Sequence, residues 1–298
     1  MPNSLISAVI EIAPERDGIL IFGFKIYFYA ILITCGIAIA IIITSRLLKR
    51  KGLPSSQSLD YALFVIPASI IGTRIYFLLF PYSNISYAQF EQSWTWENFW
   101  NFRGGGLGIY GGVIMGYITV FIITRVKKQR FYEIGDSVMP GLLIAQSIGR
   151  WGNFVNGEAF GNVVTNPGLQ FFPYAVNVGG VWHQATFFYE SVCTFIGFFI
   201  ALELLRHPKY RDGLVMCFYG LYYGVVRLII EGMRTDSLFL RVPIIWERRF
   251  WETGIRISQA VSIIMIAMSV IRFIYLYRKE LGDLLNKIFK RRKTNLNA

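Results

Sequence analysis

Apolar positions dominate the chain in long runs. A membrane-crossing helix needs about 20 mostly apolar residues. Seven runs approach or meet that length: 26–44, 59–80, 107–124, 134–148, 185–205, 213–230 and 257–276. Arg74 interrupts the second, glycine is frequent in the third, and the fourth is the shortest and most polar. On hydropathy alone a re-entrant or short buried helix competes with a span for the fourth.

The charged residues between the runs decide the count. Basic clusters follow the first run (Arg46, Lys49, Arg50, Lys51), the third (Arg125, Lys127, Lys128, Arg130) and the fifth (Arg206, Lys209, Arg211). A further set fills the tail, from Arg278 and Lys279 to Arg291, Arg292 and Lys293. Lysine and arginine mark the cytoplasmic side of a membrane protein. Only seven spans put all four clusters on one side. The pattern predicts an all-α integral membrane protein, 1–298 as one polytopic domain, with seven transmembrane helices and long outer loops. The amino terminus is expected outside and the carboxyl terminus in the cytoplasm. No basic segment and cleavage site precede the first run, so no removable signal peptide is expected.

The outer stretches include 81–106 and 149–182, read as extracytoplasmic loop or head segments, and 233–256. The first holds Trp94, Trp96, Phe99, Trp100 and Phe102, a spacing suited to headgroup depth. No internal repeat is evident, which weakens an inverted-repeat transporter.

Composition agrees with a membrane protein. Hydrophobic residues are 54% and charged ones 16%, against about 25% charged in soluble domains. The net charge of +12 sits at span ends and in the tail 278–298, where it suits anionic lipid rather than nucleic acid. Three cysteines, all inside apolar runs, make no disulfide framework. No His and Cys cluster has metal-ligand spacing, so neither metal nor cofactor is expected.

Ionisable residues at membrane depth are costly and mark function or structural pairing. Arg74 suits a structural partner, Asp136 a cap at the start of the fourth helix, and Glu190 a pair with a buried arginine. Tyr223, Arg227, Glu231 and Arg234 are spaced i, i+4, i+8, i+11 and share one helical face. Such a face is too polar for lipid contact. The densest cluster, Gly149 to Gly161, threads Arg150, Asn153, Asn156 and Glu158 through glycines. Glycine permits close backbone approach and arginine offers a planar fork to phosphate. A second glycine-rich run, Arg103 to Gly112, opens the third span. Helix packing accounts for Gly112 and Gly116 there, but less well for the glycines at its mouth, Gly105 among them.

These residues resemble the prolipoprotein diacylglyceryl transferase family of bacterial inner membranes. Gly149 to Gly161 is similar to its Gly-Arg-x-(Gly/Ala)-Asn-Phe-x-Asn-x-Glu-x-x-Gly signature at every fixed position. Gly105 to Gly112 resembles its Gly-Gly-x-x-x-His/Tyr-Gly-Gly element, and Tyr223 to Arg234 its Tyr-Gly-x-x-Arg-x-x-x-Glu-x-x-Arg element. Tyr29 matches the tyrosine of the first span. The resemblance implies transfer of a diacylglyceryl group from phosphatidylglycerol to the lipobox cysteine of a preprolipoprotein. A thioether forms and glycerol 1-phosphate is released on the outer side of the cell membrane.

On that reading Arg150 and Arg227 hold the phosphate, and Tyr110, Tyr29 and Glu231 complete the catalytic set. Asn153, Asn156, Glu158, Gly161, Tyr223, Arg234 and Gly105 join Arg150 in binding substrate. Some members carry histidine where this chain has Tyr110. Tyrosine, with a pKa of about 10, is a poor proton acceptor at neutral pH. Tyr110 is therefore expected to donate or position, with arginines lowering the thiol pKa. His183 fits the family's histidine position imperfectly, since aligning Thr186 to Glu190 puts Gln184 there. A transporter of an anionic lipid or phosphate-bearing solute would use the same arginines but change no bond. A receptor or scaffold leaves the polar face unexplained.

Overall fold

The computed structural model describes residues 10–12, 18–22, 24–80, 86–100, 108–235, 239–244, 247, 249–280 and 282–283. Gly105, Phe102 and the basic tail beyond residue 283 lie outside them. Six helices are long and apolar enough to cross a membrane: α1 (Phe28–Arg50), α2 (Gln57–Leu79), α5 (Ile109–Val126), α7 (Thr186–Leu204), α8 (Leu214–Met233) and α9 (Ile257–Leu276). Many of their largest apolar side chains point outward, among them Ile42, Leu63, Val113, Phe199 and Ile271. An apolar exterior of that extent fits lipid rather than water.

The fourth apolar run belongs to α6 (Phe131–Val155), of 25 residues. At about 1.5 Å per residue it is as long as a bilayer core is thick. It packs on α1 and α7 and also touches α5 and α8. A helix enclosed by others carries polar residues that lipid would not tolerate, and its hydropathy is correspondingly weak. The sequence reading ended this element at residue 148. The helix continues two turns, to Val155, and those turns hold Arg150 and Asn153.

Hydrogen bonds tie the helix ends into two groups. At one end, Lys51 Nζ after α1 donates to the Glu133 carbonyl (3.1 Å) and to the Tyr210 hydroxyl (2.9 Å) between α7 and α8. Gln129 Oε1, before α6, accepts from Tyr61 of α2 (2.7 Å). Arg211, before α8, donates to the Leu276 carbonyl at the end of α9.

Asp136 belongs to this end too, in a role the sequence misassigned. It does not cap α6, which begins at Phe131. Fully buried, it accepts from the backbone N–H of Gly213 (2.6 Å) and Met216 (2.8 Å), capping α8 instead, and from Tyr210 (2.7 Å). Burial pushes the Lys51 pKa down, against the pull of Asp136, Asp212 and Glu133. Burial, then the Asp136 charge, push the Tyr210 phenol well above its usual range, so it remains a donor.

The stretches read as loops contain structure that an all-α reading omitted. Strands β1 (Ile10–Ile12), β2 (Gly18–Ile21) and β3 (Phe24–Tyr27) form an antiparallel sheet leading into α1. β4 (Ala175–Val178) and β5 (Val181–Gln184) form a hairpin, as do β6 (Phe239–Ile244) and β7 (Arg249–Arg256). Gly179 and Gly180, with φ of +59° and +90°, turn the β4–β5 hairpin through a two-residue loop that needs positive φ at both positions. Between α2 and α5, α3 (Tyr87–Ser93) starts at a capping box of Ser86 and Gln89, and α4 (Trp96–Phe99) follows. Trp94, Trp96 and Trp100 are exposed there, as an interfacial segment requires.

Candidate active site

The opposite end of the bundle gathers the charged residues. α6 delivers Arg150, α7 delivers Glu190, α8 delivers Tyr223, Arg227 and Glu231, and α9 delivers Ser258. Glu190 sits at the centre, 1% exposed. Its Oε1 meets Arg150 Nη2 at 2.5 Å and its Oε2 meets Arg227 Nη1 at 3.0 Å. Tyr223 donates to Oε1 at 3.1 Å. Buried ions persist only when paired and hydrogen-bonded. This carboxylate has three partners on its two oxygens.

Arg227 continues the network. Its Nη2 reaches Glu231 Oε2 (2.8 Å), one turn along α8, and the Ser258 hydroxyl (3.1 Å). Ser258 in turn hydrogen-bonds the Tyr110 hydroxyl at the start of α5. Arg234 Nη1 lies 3.9 Å from Glu231 Oε2, and Arg256 Nη1 donates to the Glu231 carbonyl (2.7 Å). The expected shared face holds for Tyr223, Arg227 and Glu231. Arg234 departs from it: α8 ends at Met233, and Arg234 is extended, with its backbone bridged to Gly161.

The signature segment wraps the same site. Arg150 Nη1 donates to Asn153 Oδ1 (3.2 Å), one turn on. Asn153 and Asn156 both donate to Glu158 Oε1, at 2.9 and 3.4 Å. Gly152 faces the Tyr29 ring so closely that an added Cβ would strike it, which seats the first turn of α1 against α6. Gly161 donates its N–H to the Gln184 carbonyl (2.9 Å), and an added Cβ would press on Gln184 and Thr186.

The structure therefore brings together Arg150, Arg227, Tyr110, Glu231, Tyr223, Arg234, Asn153, Asn156, Glu158, Gly161 and Tyr29 at one end of the bundle. Gly105 lies outside the described residues. His183 pairs through Nδ1 with the Gly161 carbonyl (3.1 Å) within the β5 region, and His207 is exposed at the other end. Ser258, Arg256 and the half-buried pair Gln146–Tyr219 (2.8 Å) went unread in the sequence. Hydroxyls and amides in apolar runs carry no charge signal. Glu190 did, and the structure pairs it with two half-buried arginines. Arg74 is buried within α2, with the Phe77 ring 5.5 Å away.

Among the described residues no group of three or more His, Cys, Asp or Glu side chains could hold a metal ion. Among the described residues, four arginines (150, 227, 234, 256) and three glutamates (158, 190, 231) of this network carry one positive charge in excess. That excess suits a singly charged anion. The chemistry the site offers is anion binding and stabilisation of negative charge by preorganised donors.

Comparison with known proteins fits this geometry. A family model described as prolipoprotein diacylglyceryl transferase matches residues 18–275. A Clostridioides difficile protein named phosphatidylglycerol–prolipoprotein diacylglyceryl transferase is 37% identical over 270 residues, covering 91% of this chain and 98% of that relative. Proteins of the same name from Streptococcus agalactiae and Enterococcus faecalis are 36% and 35% identical. They cover 86% and 84% of this chain and 94% and 86% of their own.

Proposed function

The chain belongs to the prolipoprotein diacylglyceryl transferase family, and from that premise we infer that it transfers the diacylglyceryl group of phosphatidylglycerol to a prolipoprotein, the first step of lipoprotein maturation. It is a transferase and a multi-pass membrane protein. The acceptor atom in our reading is the lipobox cysteine sulfur, which attacks the lipid carbon bonded to the phosphate oxygen. The carbon–oxygen bond breaks, a thioether forms, and glycerol 1-phosphate leaves with the electron pair, the thiol proton ending on the departing phosphate.

The observation that carries this assignment is the buried Glu190 carboxylate clamped between Arg150 and Arg227. It fixes two guanidinium groups side by side, with donors left over for a phosphodiester. Those arginines stabilise the departing phosphate and favour the thiolate over the thiol, whose free pKa is about 8.5. Glu231 holds Arg227, and Tyr223 holds Glu190. Asn153 and Asn156 bind glycerol or phosphate oxygens, Glu158 accepts from both amides and orients them, and Tyr29, Gly161 and Arg234 shape the same pocket. Gly105 remains a proposed close-approach position on the sequence pattern alone.

We read α6 as a seventh span, with the amino terminus outside, the carboxyl terminus in the cytoplasm and the site facing outward from the bacterial inner membrane. The basic tail then meets anionic lipid rather than nucleic acid. The test is mass spectrometry of a lipobox peptide incubated with the protein and phosphatidylglycerol. A diacylglyceryl mass gain on cysteine, lost in Arg150→Ala, is the expected result. A gain that survives Arg150→Ala removes the site assignment. Absence of product from folded, lipid-bound protein favours transport without bond change.

A further inference from the structure

Ser258 lies in the first turn of α9, in a segment to which neither the sequence motifs nor the family likeness assigns a function. It is 4% exposed. Among the described residues its hydroxyl has two side-chain partners. Arg227 Nη2 donates to it at 3.1 Å, and the Tyr110 hydroxyl shares a hydrogen bond with it. Its carbonyl is occupied separately, accepting from Ser262 at 2.7 Å.

The inventory of donors orders these bonds. A guanidinium only donates, so Ser258 Oγ must accept from Arg227. One lone pair is thereby used, and the single Ser258 proton needs an acceptor in a buried site. The Tyr110 oxygen is in reach. With Ser258 donating to it, the Tyr110 proton is left over for another acceptor. The opposite arrangement spends the Tyr110 proton on Ser258 and strands the serine proton. Arg227 polarises the serine hydroxyl in the favoured arrangement, strengthening its donation to Tyr110. Charge-assisted bonds are the stronger kind.

We propose that Ser258 is a positioning residue for the transfer reaction: it fixes the Tyr110 hydroxyl beside Arg227 with its proton directed at the phosphate of the lipid donor. This rests on the transferase reading above. Tyr110 touches the substrate phosphate, and Ser258 acts through Tyr110. The phenol is used as an oriented donor, not as a base.

The test is a double-mutant cycle on the full-length protein in mixed micelles with phosphatidylglycerol and a lipobox peptide. We expect Ser258→Ala to lower kcat about tenfold, with the peptide KM changed by less than about twofold. Tyr110→Phe should lower it at least as much, and Ser258→Ala should add nothing in the Tyr110→Phe background. Ser258→Thr, which keeps the hydroxyl, should stay within about threefold of the unaltered protein. Losses that multiply across the cycle overturn the proposal, as does full activity in Ser258→Ala. Ser258→Thr failing like alanine also overturns it. If Ser258→Ala is recovered unfolded, Ser258→Cys replaces it in the cycle, since a thiol is a weak partner. Wild-type rates in Ser258→Cys then overturn the proposal. A lack of product from the unaltered, folded protein instead overturns the transferase reading, and this inference with it.

Discussion

Glu190 shows at the scale of one residue how cost and function meet. A carboxylate at that depth is expensive unless paired, and two arginines pair it. Glu190→Gln leaves those arginines buried against each other without their shared counter-charge. We expect it to destabilise the protein by about 3–5 kcal/mol, the usual consequence of breaking a buried pair. Thermal unfolding in detergent measures this. Phosphatidylglycerol should raise the unfolding temperature of the variant more than that of the unaltered protein, because the lipid phosphate supplies the missing charge. Equal stabilisation of both would mean that the arginines do not receive the phosphate. Glu190 and Arg227 were legible in the sequence because charge in an apolar run is costly, Glu231 because its spacing puts it on one helical face with Arg227, and Arg150 because it sits in a glycine-threaded polar cluster. Ser258 was not, because serine in a membrane helix usually satisfies its hydroxyl on its own backbone, as Ser262 does.

Among the elements, α6 is the one the sequence described least well. Its hydropathy is weak because its neighbours are helices. Its last two turns are polar because they form the site. The other helices had readable bounds, since lipid-facing runs end where charge begins. The strands were not legible: β4 and β5 are only four residues each, in glycine-, asparagine- and proline-rich sequence, and the β6–β7 hairpin lies in a stretch read only as an outer loop. Asp136 joins two elements, anchoring the start of α8 from within α6. Asp136→Ala removes the acceptor for two backbone N–H groups and the Tyr210 hydroxyl. We expect a loss of about 2 kcal/mol, seen as a lower unfolding temperature, while Asp136→Asn, which keeps an acceptor oxygen, loses less. The change lies at the far end of the bundle from Arg150. The kcat of protein that remains folded should therefore stay near the unaltered value.

For the whole molecule the decisive quantity is the number of crossings. Six helices pass on composition alone, and α6 does not. The bonds at its ends argue that it crosses nonetheless. Glu133, near its start, is bound to Lys51 at the end of α1, and Arg150, near its finish, is bound to Glu190 at the start of α7. A helix joined to opposite ends of its neighbours runs the length of the bundle. In the seven-span topology we propose, the segments carrying Lys128 and Lys209 lie on one side of the membrane and the segment 156–185 on the other. The basic clusters make the first side cytoplasmic. Single cysteines placed at the exposed positions Lys128, Lys209 and Thr165, with Cys35, Cys193 and Cys217 replaced by alanine, test this in whole cells. A membrane-impermeant maleimide should label Thr165→Cys and spare Lys128→Cys and Lys209→Cys until the cells are opened. Labelling of Lys128→Cys but not Lys209→Cys, or the reverse, would mean that α6 does not cross. The site would then lose its place on the face where a secreted prolipoprotein presents its cysteine.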